Sequence, residues 1–210
     1  MIAKRLFDVL ASSVGLIMLL PVFVVIAIAI RLDSEGEVLF RQRRIGRSGR
    51  VFMINKFRTM RAASSVEGSG ITIGRDPRIT RVGRILRATK MDELPQLFNV
   101  LVGEMSLVGP RPELAEYVAA YPEDLRRRVL ALRPGITDYA SIRFRNESEL
   151  LARATDPHRY YVESILPAKL RLNVAYAERA GLFVDLKIIF WTIASLFLPA
   201  PAMPDLEAPE

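Results

Sequence analysis

Between Val9 and Ile30 the chain carries no charge for about 22 residues, which at ~1.5 Å per helical residue reaches about 33 Å, enough for a ~30 Å hydrocarbon core. Pro21 lies past the middle of this stretch, where it removes a backbone N–H and predicts a kink. Lys4 and Arg5 precede the segment, and Arg31, Arg41, Arg43, Arg44, Arg47 and Arg50 follow it. Positive flanks stay on the cytoplasmic side, so a segment that is basic at both ends is drawn back to the side it entered from. The expectation is a proline-kinked, re-entrant helix over 1–32. A plain span ranks second. A cleaved signal peptide ranks third: Ala27-Ile28-Ala29 resembles a cleavage site, but the apolar stretch exceeds the usual ~7 to 15 residues.

The remaining chain, 33–198, reads as one compact domain. Val51 to Met60 alternates like a strand, placing Phe52, Ile54, Lys56 and Arg58 on one face. Ala62 to Asp76 is rich in Ser, Gly and Thr and reads as a loop, and its Gly68-Ser69-Gly70 lacks the spacing and lysine of a phosphate-binding loop. Thr80 is a helix cap ahead of Val82, Ile85 and Leu86, with Arg81, Arg84 and Arg87 forming a basic ridge that leads towards Asp92. Leu94, Leu97, Phe98 and Leu101 then recur at helical spacing, with Asp92 as the expected N-cap and Pro95 in the first turn. Further on, Ala140 to Arg145 reads as a strand and Val162 to Ala180 as a helix. Leu182 to Leu198 fits either an interfacial helix or a buried core helix. The proline-rich, acidic stretch 199–210 is expected to be a disordered tail.

Composition narrows the chemistry. Thirty basic residues against 23 acidic give a formal +7, an excess that must meet nucleic acid, anionic lipid or a phosphorylated substrate. With no cysteine, disulfides, thiolate nucleophiles and cysteine metal sites are excluded. His158 is the only histidine, which rules out clustered histidine ligands. What remains is the adjacent pair Asp92 and Glu93, set among cations. Arg111 stands between Pro110 and Pro112, whose rings restrict the backbone and lower the entropy lost when a guanidinium grips an anion. Arginine's planar fork suits phosphate oxygens. Arg143 and Arg145 add a further cationic surface.

In order and spacing these pieces resemble the bacterial sugar transferase family, the monotopic phosphoglycosyl transferases. The matching segments are Lys4-Arg5-x-x-Asp8 before the proline-containing apolar stretch, Lys56-Phe57-Arg58-Thr59-Met60, Asp92-Glu93-Leu94 with Gln96-Leu97-Phe98-Asn99, Gly103-Glu104-Met105-Ser106, Val108-Gly109-Pro110-Arg111-Pro112, Pro134-Gly135-Ile136-Thr137 and Tyr160-Tyr161-Val162. The resemblance implies a helix-rich mixed α/β fold: a re-entrant membrane helix, one small catalytic domain on the cytoplasmic face of the bacterial inner membrane, and interfacial amphipathic helices. It also implies transfer of a sugar-1-phosphate from a nucleotide diphosphate sugar, with a uridine nucleotide favoured, to polyprenyl phosphate, the first membrane step of glycan assembly. Asp92 is then the nucleophile, forming a covalent phosphosugar intermediate and expelling a nucleoside monophosphate. Asp92 and Glu93 become the Mg²⁺ candidates, because Mg²⁺ needs only one or two protein carboxylates beside substrate phosphates. Arg111 is the first phosphate-binding candidate, supported by Lys56, Arg58 and Arg87, with Arg145 as a further family match.

The sequence departs from the commonest family pattern in three places. Leu20-Pro21 stands where Ser-Pro is frequent. Asp138-Tyr139-Ala140-Ser141-Ile142-Arg143-Phe144-Arg145 replaces the frequent Gly-Trp-Ala-Gln-Val-Asn-Gly-Arg, and His158 occupies a frequent aspartate position. The last two bear on donor identity. The extra N-terminal membrane bundle of larger members is not expected here, and no nucleic-acid partner is expected. Monomer and homodimer both stay open. Two other readings compete: a membrane-tethered basic module that binds nucleic acid or anionic lipid without catalysis, and a metal-dependent diphosphate hydrolase. The first gives no reason for an acidic pair among the arginines.

Overall fold

The computed structural model describes residues 2–61, 76–195 and 198. The stretch 62–75, with Gly68-Ser69-Gly70, and the tail 199–210 lie outside the described residues. The first element, α1 (Ile2–Asp33), is continuous through Pro21, so the proline does not divide it into two helices. Asp8, Ser12, Gly15, Leu19, Phe23, Ile26 and Ile30 repeat at three- and four-residue intervals on one stripe of α1, and this stripe meets the rest of the protein. The other side leaves Leu10, Ile17, Met18, Val25 and Ile28 exposed.

Both ends of α1 are tied to the same domain. At the start, Lys4 Nζ donates to the Val108 carbonyl at 3.0 Å and pairs with Asp185. Arg5 donates to the Val100 and Leu101 carbonyls at 2.7 and 3.0 Å. Asp8 accepts from Ser106 Oγ at 2.8 Å and from the Leu107 amide at 3.1 Å. At the far end, Asp33 accepts from the Val82 amide at 2.9 Å.

The chain then forms a hairpin, β1 (Leu39–Ile45) and β2 (Val51–Phe57), antiparallel with Leu39 opposite Phe57 and Ile45 opposite Val51. The expected alternation holds on β2, where Phe52 and Ile54 are buried and Val51 and Met53 exposed. Helix α2 (Arg81–Ala88) follows, capped as expected by Thr80, whose hydroxyl accepts from the Gly83 amide at 2.9 Å. Of its apolar positions, Leu86 is buried and Ile85 exposed.

A single 3₁₀ turn, Met91–Glu93, leads to α3 (Gln96–Val102). Asp92 is not a cap: it lies inside the 3₁₀ turn, and Pro95 takes the N-cap place of α3. Proline suits that boundary because it has no N–H to leave unpaired. The polar side of α3 faces inward. Gln96 and Asn99 are each 1 % exposed, whereas Phe98 is 54 % exposed and Leu97 lies against Gly15 of α1.

Two short strands, β3 (Ser106–Val108) and β4 (Gly135–Thr137), pair in parallel, with Ser106 opposite Gly135. A Cβ on Gly135 would collide with the Gly109 backbone, so the two chains approach only because that position is glycine. Helices α4 (Ala115–Ala119) and α5 (Glu123–Leu130) lie between these strands in sequence. After β4 comes α6 (Tyr139–Arg143), where a strand was expected. Asp138 decides this, because its carboxylate accepts from the Ser141 amide at 2.6 Å and nucleates a helical turn. Helices α7 (Glu147–Ala152) and α8 (Pro157–Tyr160) lead into a π-turn, Tyr161–Ile165, which continues as α9 (Leu166–Arg179).

The last described helix, α10 (Leu182–Ala194), serves two environments. Ile188 packs in a core cluster with Val108, Tyr139, Ile142 and Tyr176, while Phe183, Leu186, Phe190 and Ile193 stay exposed along the other side. The buried face agrees with the core reading of this segment, and the exposed apolar row is the feature on which the interfacial reading rests.

Candidate functional site

The acidic pair sits where β2, the 3₁₀ turn and the loop after β3 converge. Lys90, just before the turn, has a left-handed backbone with φ of 59°. For a residue with a Cβ this costs roughly 1–2 kcal/mol, and such strain concentrates at functional sites. The turn it initiates buries Asp92 and directs Glu93 between two cations. Lys56 Nζ donates to Glu93 Oε1 at 2.9 Å, and Arg111 forms a two-armed pair with both Glu93 oxygens, one arm 3.0 Å long. Asp92, only 8 % exposed, makes no hydrogen bond or ion pair with any described residue.

Adjacent carboxylates are thereby pushed in opposite directions. Burial, then the Glu93 charge, raises the Asp92 pKa, with Lys56 and Arg87 opposing in part. For Glu93, burial also works towards a raised value, but Arg111 and Lys56 outweigh it and hold the carboxyl well below its ordinary range. The cations respond in turn. Burial lowers Lys56 despite Glu93, whereas the Glu93 charge keeps Arg111 firmly protonated. Glu93 is thus favoured as the anion, and Asp92 is a carboxylate of enhanced basicity.

Arg111 is mounted on a tightly held loop. Its amide donates to Asp138 Oδ2 at 3.2 Å, and the Gly135 amide donates to the Pro110 carbonyl at 2.9 Å. Pro110 and Pro112, both buried, limit the backbone on either side. Arg87 lies beside the pair without touching it: its Nε donates to Thr59 Oγ1 at 2.9 Å, and burial lowers its pKa against the pull of Asp92.

Arg58 is the sequence candidate that the structure places elsewhere. β2 ends at Phe57, and the Arg58 guanidinium donates to the Ser34 and Glu35 carbonyls at 2.7 and 2.6 Å, closing off the end of α1. The alternation that puts Lys56 and Arg58 on one face does not outlast the strand. Arg145 approaches the site only as a charge felt by Lys90. No pattern in the sequence marks Lys90 as a site residue. Surrounding protein lowers its pKa first, and Arg111 next, which puts another cation beside the acidic turn.

For a divalent cation the two carboxylates are unequal. Among the described residues no group of three or more His, Cys, Asp or Glu side chains converges on a point. Glu93 has its oxygens occupied by Lys56 and Arg111. Asp92 keeps its lone pairs, and one such carboxylate fits Mg²⁺, which takes its other ligands from water and substrate phosphates. The divergent segment 138–145 is mostly structural: Asp138, Tyr139, Ala140 and Ile142 are buried and Ser141, Phe144 and Arg145 half-buried, leaving Arg143 as the exposed member. His158 is exposed at α8, with its ring 5.9 Å from that of Tyr117.

The family model described as "Bacterial sugar transferase" matches residues 1–199. The "Exopolysaccharide production protein PSS" of Rhizobium leguminosarum bv. phaseoli is 39 % identical over 207 residues, covering 93 % of this chain and 95 % of that protein. A "UDP-glucose:undecaprenyl-phosphate glucose-1-phosphate transferase" of Caulobacter vibrioides is 38 % identical, covering 92 % of this chain and 69 % of its own length. An enzyme of the same description from Klebsiella pneumoniae is 36 % identical over 94 % of this chain, which spans only 41 % of that longer relative. With the family match running from α1 through the acidic turn to the end of α10, this chain belongs to the bacterial sugar transferases.

Proposed function

We propose that the protein transfers a sugar-1-phosphate from a uridine diphosphate sugar to undecaprenyl phosphate, releasing UMP and leaving an undecaprenyl diphosphate sugar. The single observation carrying this reading is the contrast at the acidic turn. Asp92 is buried, basic and free of partners among the described residues, and beside it Arg111 and Lys56 are gathered by Glu93. The relatives described above as glucose-1-phosphate transferases use a UDP sugar and undecaprenyl phosphate by name, which supports the choice of substrates.

Asp92 Oδ attacks the sugar-side phosphorus, the bond from that phosphorus to the bridging oxygen breaks, and UMP departs with the electron pair. The sugar phosphate is then held on Asp92 as a mixed anhydride. A phosphate oxygen of the lipid attacks the same phosphorus, and the Asp92 carboxylate is released unchanged. An anion approaching an anion needs charge stabilisation, and Arg111 and Lys56 supply it from one side of the turn. Asp92 would be the residue that holds Mg²⁺, which would supply further neutralisation of the diphosphate. Glu93 orients the two cations and keeps them from pairing with Asp92.

The membrane arrangement suits such an acceptor. Lys4 and Asp33 hydrogen-bond to one and the same domain, which supports a helix whose ends lie on one side of the bilayer, dipping into the near leaflet. The exposed apolar row of α10 supports an interfacial placement beside it. The lipid phosphate then meets the acidic turn at the surface while its chain stays in the leaflet.

The test is intact-protein mass after incubation with Mg²⁺ and a panel of UDP sugars, without lipid, alongside Asp92→Asn. The expected result is a gain of one sugar phosphate in the wild type only, discharged by undecaprenyl phosphate. Absence of both adduct and UMP release across the panel, with folded membrane-bound protein, would overturn the proposal.

A further inference from the structure

The Tyr160-Tyr161 pair has no place in the chemistry above, yet Tyr161 is 2 % exposed and aimed at the loop that carries Arg111. Its hydroxyl donates to Glu113 Oε1 at 2.8 Å, and Glu113 is separated from Arg111 only by Pro112. Lys169 closes the back of this contact. Its Nζ lies 3.3 Å from the Tyr161 hydroxyl, 4.8 Å from the ring centroid, 3.7 Å from Glu113 and 2.5 Å from Glu147. Arg44, on β1, reaches from the opposite side, 3.6 Å from Glu113 Oε2 and 3.3 Å from the Pro112 carbonyl.

Two cations and two carboxylates balance here, and buried ion clusters of this kind contribute little net stability over apolar packing. They do fix direction. Glu113 is held by its carboxylate and also by its carbonyl, which accepts from the Ile45 amide at 3.0 Å. Pro112 transmits that constraint because its ring fixes φ. On the other side Asp138 holds the Arg111 amide. Arg111 is left with one backbone setting, and Tyr161 is the neutral side chain that locks it from the far side of the domain. Being buried, Tyr161 touches no substrate. It also opens the π-turn Tyr161–Ile165, a wide turn that recurs at functional sites.

We propose that Tyr161 is a positioning residue for Arg111, acting through Glu113 to aim the guanidinium at a substrate phosphate. The proposal rests on the reading of Arg111 as a phosphate-binding group. Loss of the hydroxyl leaves Glu113 with long contacts only and lets the loop drift, and misplacement by about 1 Å can cost up to about a hundredfold in rate.

The test is a double-mutant cycle of Tyr161→Phe with Arg111→Lys, which retains a cation but loses the planar fork. Turnover with UDP sugars and pyrophosphate binding by calorimetry are both measured. Tyr161→Phe should lower kcat/KM about tenfold and weaken pyrophosphate several-fold, with little further loss once Arg111 is Lys; a purely structural role would give additive losses. Glu113→Gln should repeat the pattern, guarding against a variant that fails to fold. Equal losses in both backgrounds, or none, would overturn the positioning role. If the wild type binds pyrophosphate but transfers no sugar phosphate, the reaction fails while the binding cycle still decides the positioning role. If it neither binds nor transfers, both proposals fall.

Discussion

Asp92 and Glu93 are neighbours in one 3₁₀ turn, yet Glu93 is gripped by Lys56 and Arg111 while Asp92 has no hydrogen-bonding partner among the described residues. Division of labour follows from that asymmetry. One carboxylate is spent on structure and charge placement, and the other is left basic and available.

Stability should separate the two. Glu93→Gln leaves two buried cations without their shared anion, and breaking a buried pair from one side typically costs about 3 kcal/mol or more. In a chain of this size that corresponds to a Tm lower by roughly 6 to 12 °C, read by thermal unfolding in detergent. Asp92→Asn removes a partly desolvated charge that repels Glu93. Its Tm should rise by roughly 2 °C or more while turnover falls at least about a thousandfold. A fall in Tm comparable to that of Glu93→Gln would contradict the assignment.

The pH dependence has a definite sign. As the proposed nucleophile Asp92 must be ionised, and burial together with Glu93 raises its pKa, so the acid limb of adduct formation should lie above the ~3.9 of an exposed aspartate. Glu93→Gln should move that limb downward. Folding stability runs the other way for Glu93, whose folded pKa is depressed: its contribution is present above the unfolded carboxylate value and is lost as pH falls through the folded one. Rapid-quench rates of adduct formation from pH 4 to 8 would check the limb.

Lys56 and Arg58 are two residues apart and should behave differently. Lys56→Met should raise the donor KM at least about tenfold, since a cation beside the reacting phosphate is lost. Arg58→Ala should leave KM within about twofold and destabilise the protein by roughly 1.5 to 3 kcal/mol, because its hydrogen bonds close the end of α1. Steady-state kinetics and thermal unfolding on the same preparations distinguish them, and a large KM effect from Arg58→Ala would return it to the site.

The absence of cysteine makes topology directly testable. Single cysteines at Ile2 and Glu35, both exposed and at opposite ends of α1, should react with an impermeant maleimide from the same face of oriented vesicles. Labelling of the two from opposite faces would establish a plain span.

Much of this architecture follows from local sequence. The uncharged run from Val9 to Ile30, the alternation of β2 and the Thr80 cap are consequences of period and capping chemistry within a few residues, and each appears where expected. Asp92-Glu93 and Pro110-Arg111-Pro112 were legible as candidate groups because an acidic pair among cations and a guanidinium between two prolines are unusual in themselves. Only the tertiary structure brought them together, since Glu93, Lys56 and Arg111 come from three distant segments and no local rule sets their separation. It also reversed two local signals. On α3, Leu97 lies against α1 and Phe98 stays exposed, while Asn99 turns inward because Asn55 and the Met53 carbonyl offer it polar partners there. Arg58 left the site because the strand stopped one residue earlier. Composition and periodicity determined that this chain would pair a long apolar helix with a cationic, carboxylate-bearing domain. Which carboxylate would be held and which left free depended on the three-dimensional positions of Lys56 and Arg111, because electrostatic selection acts over a few ångströms in space, whatever the distance along the chain.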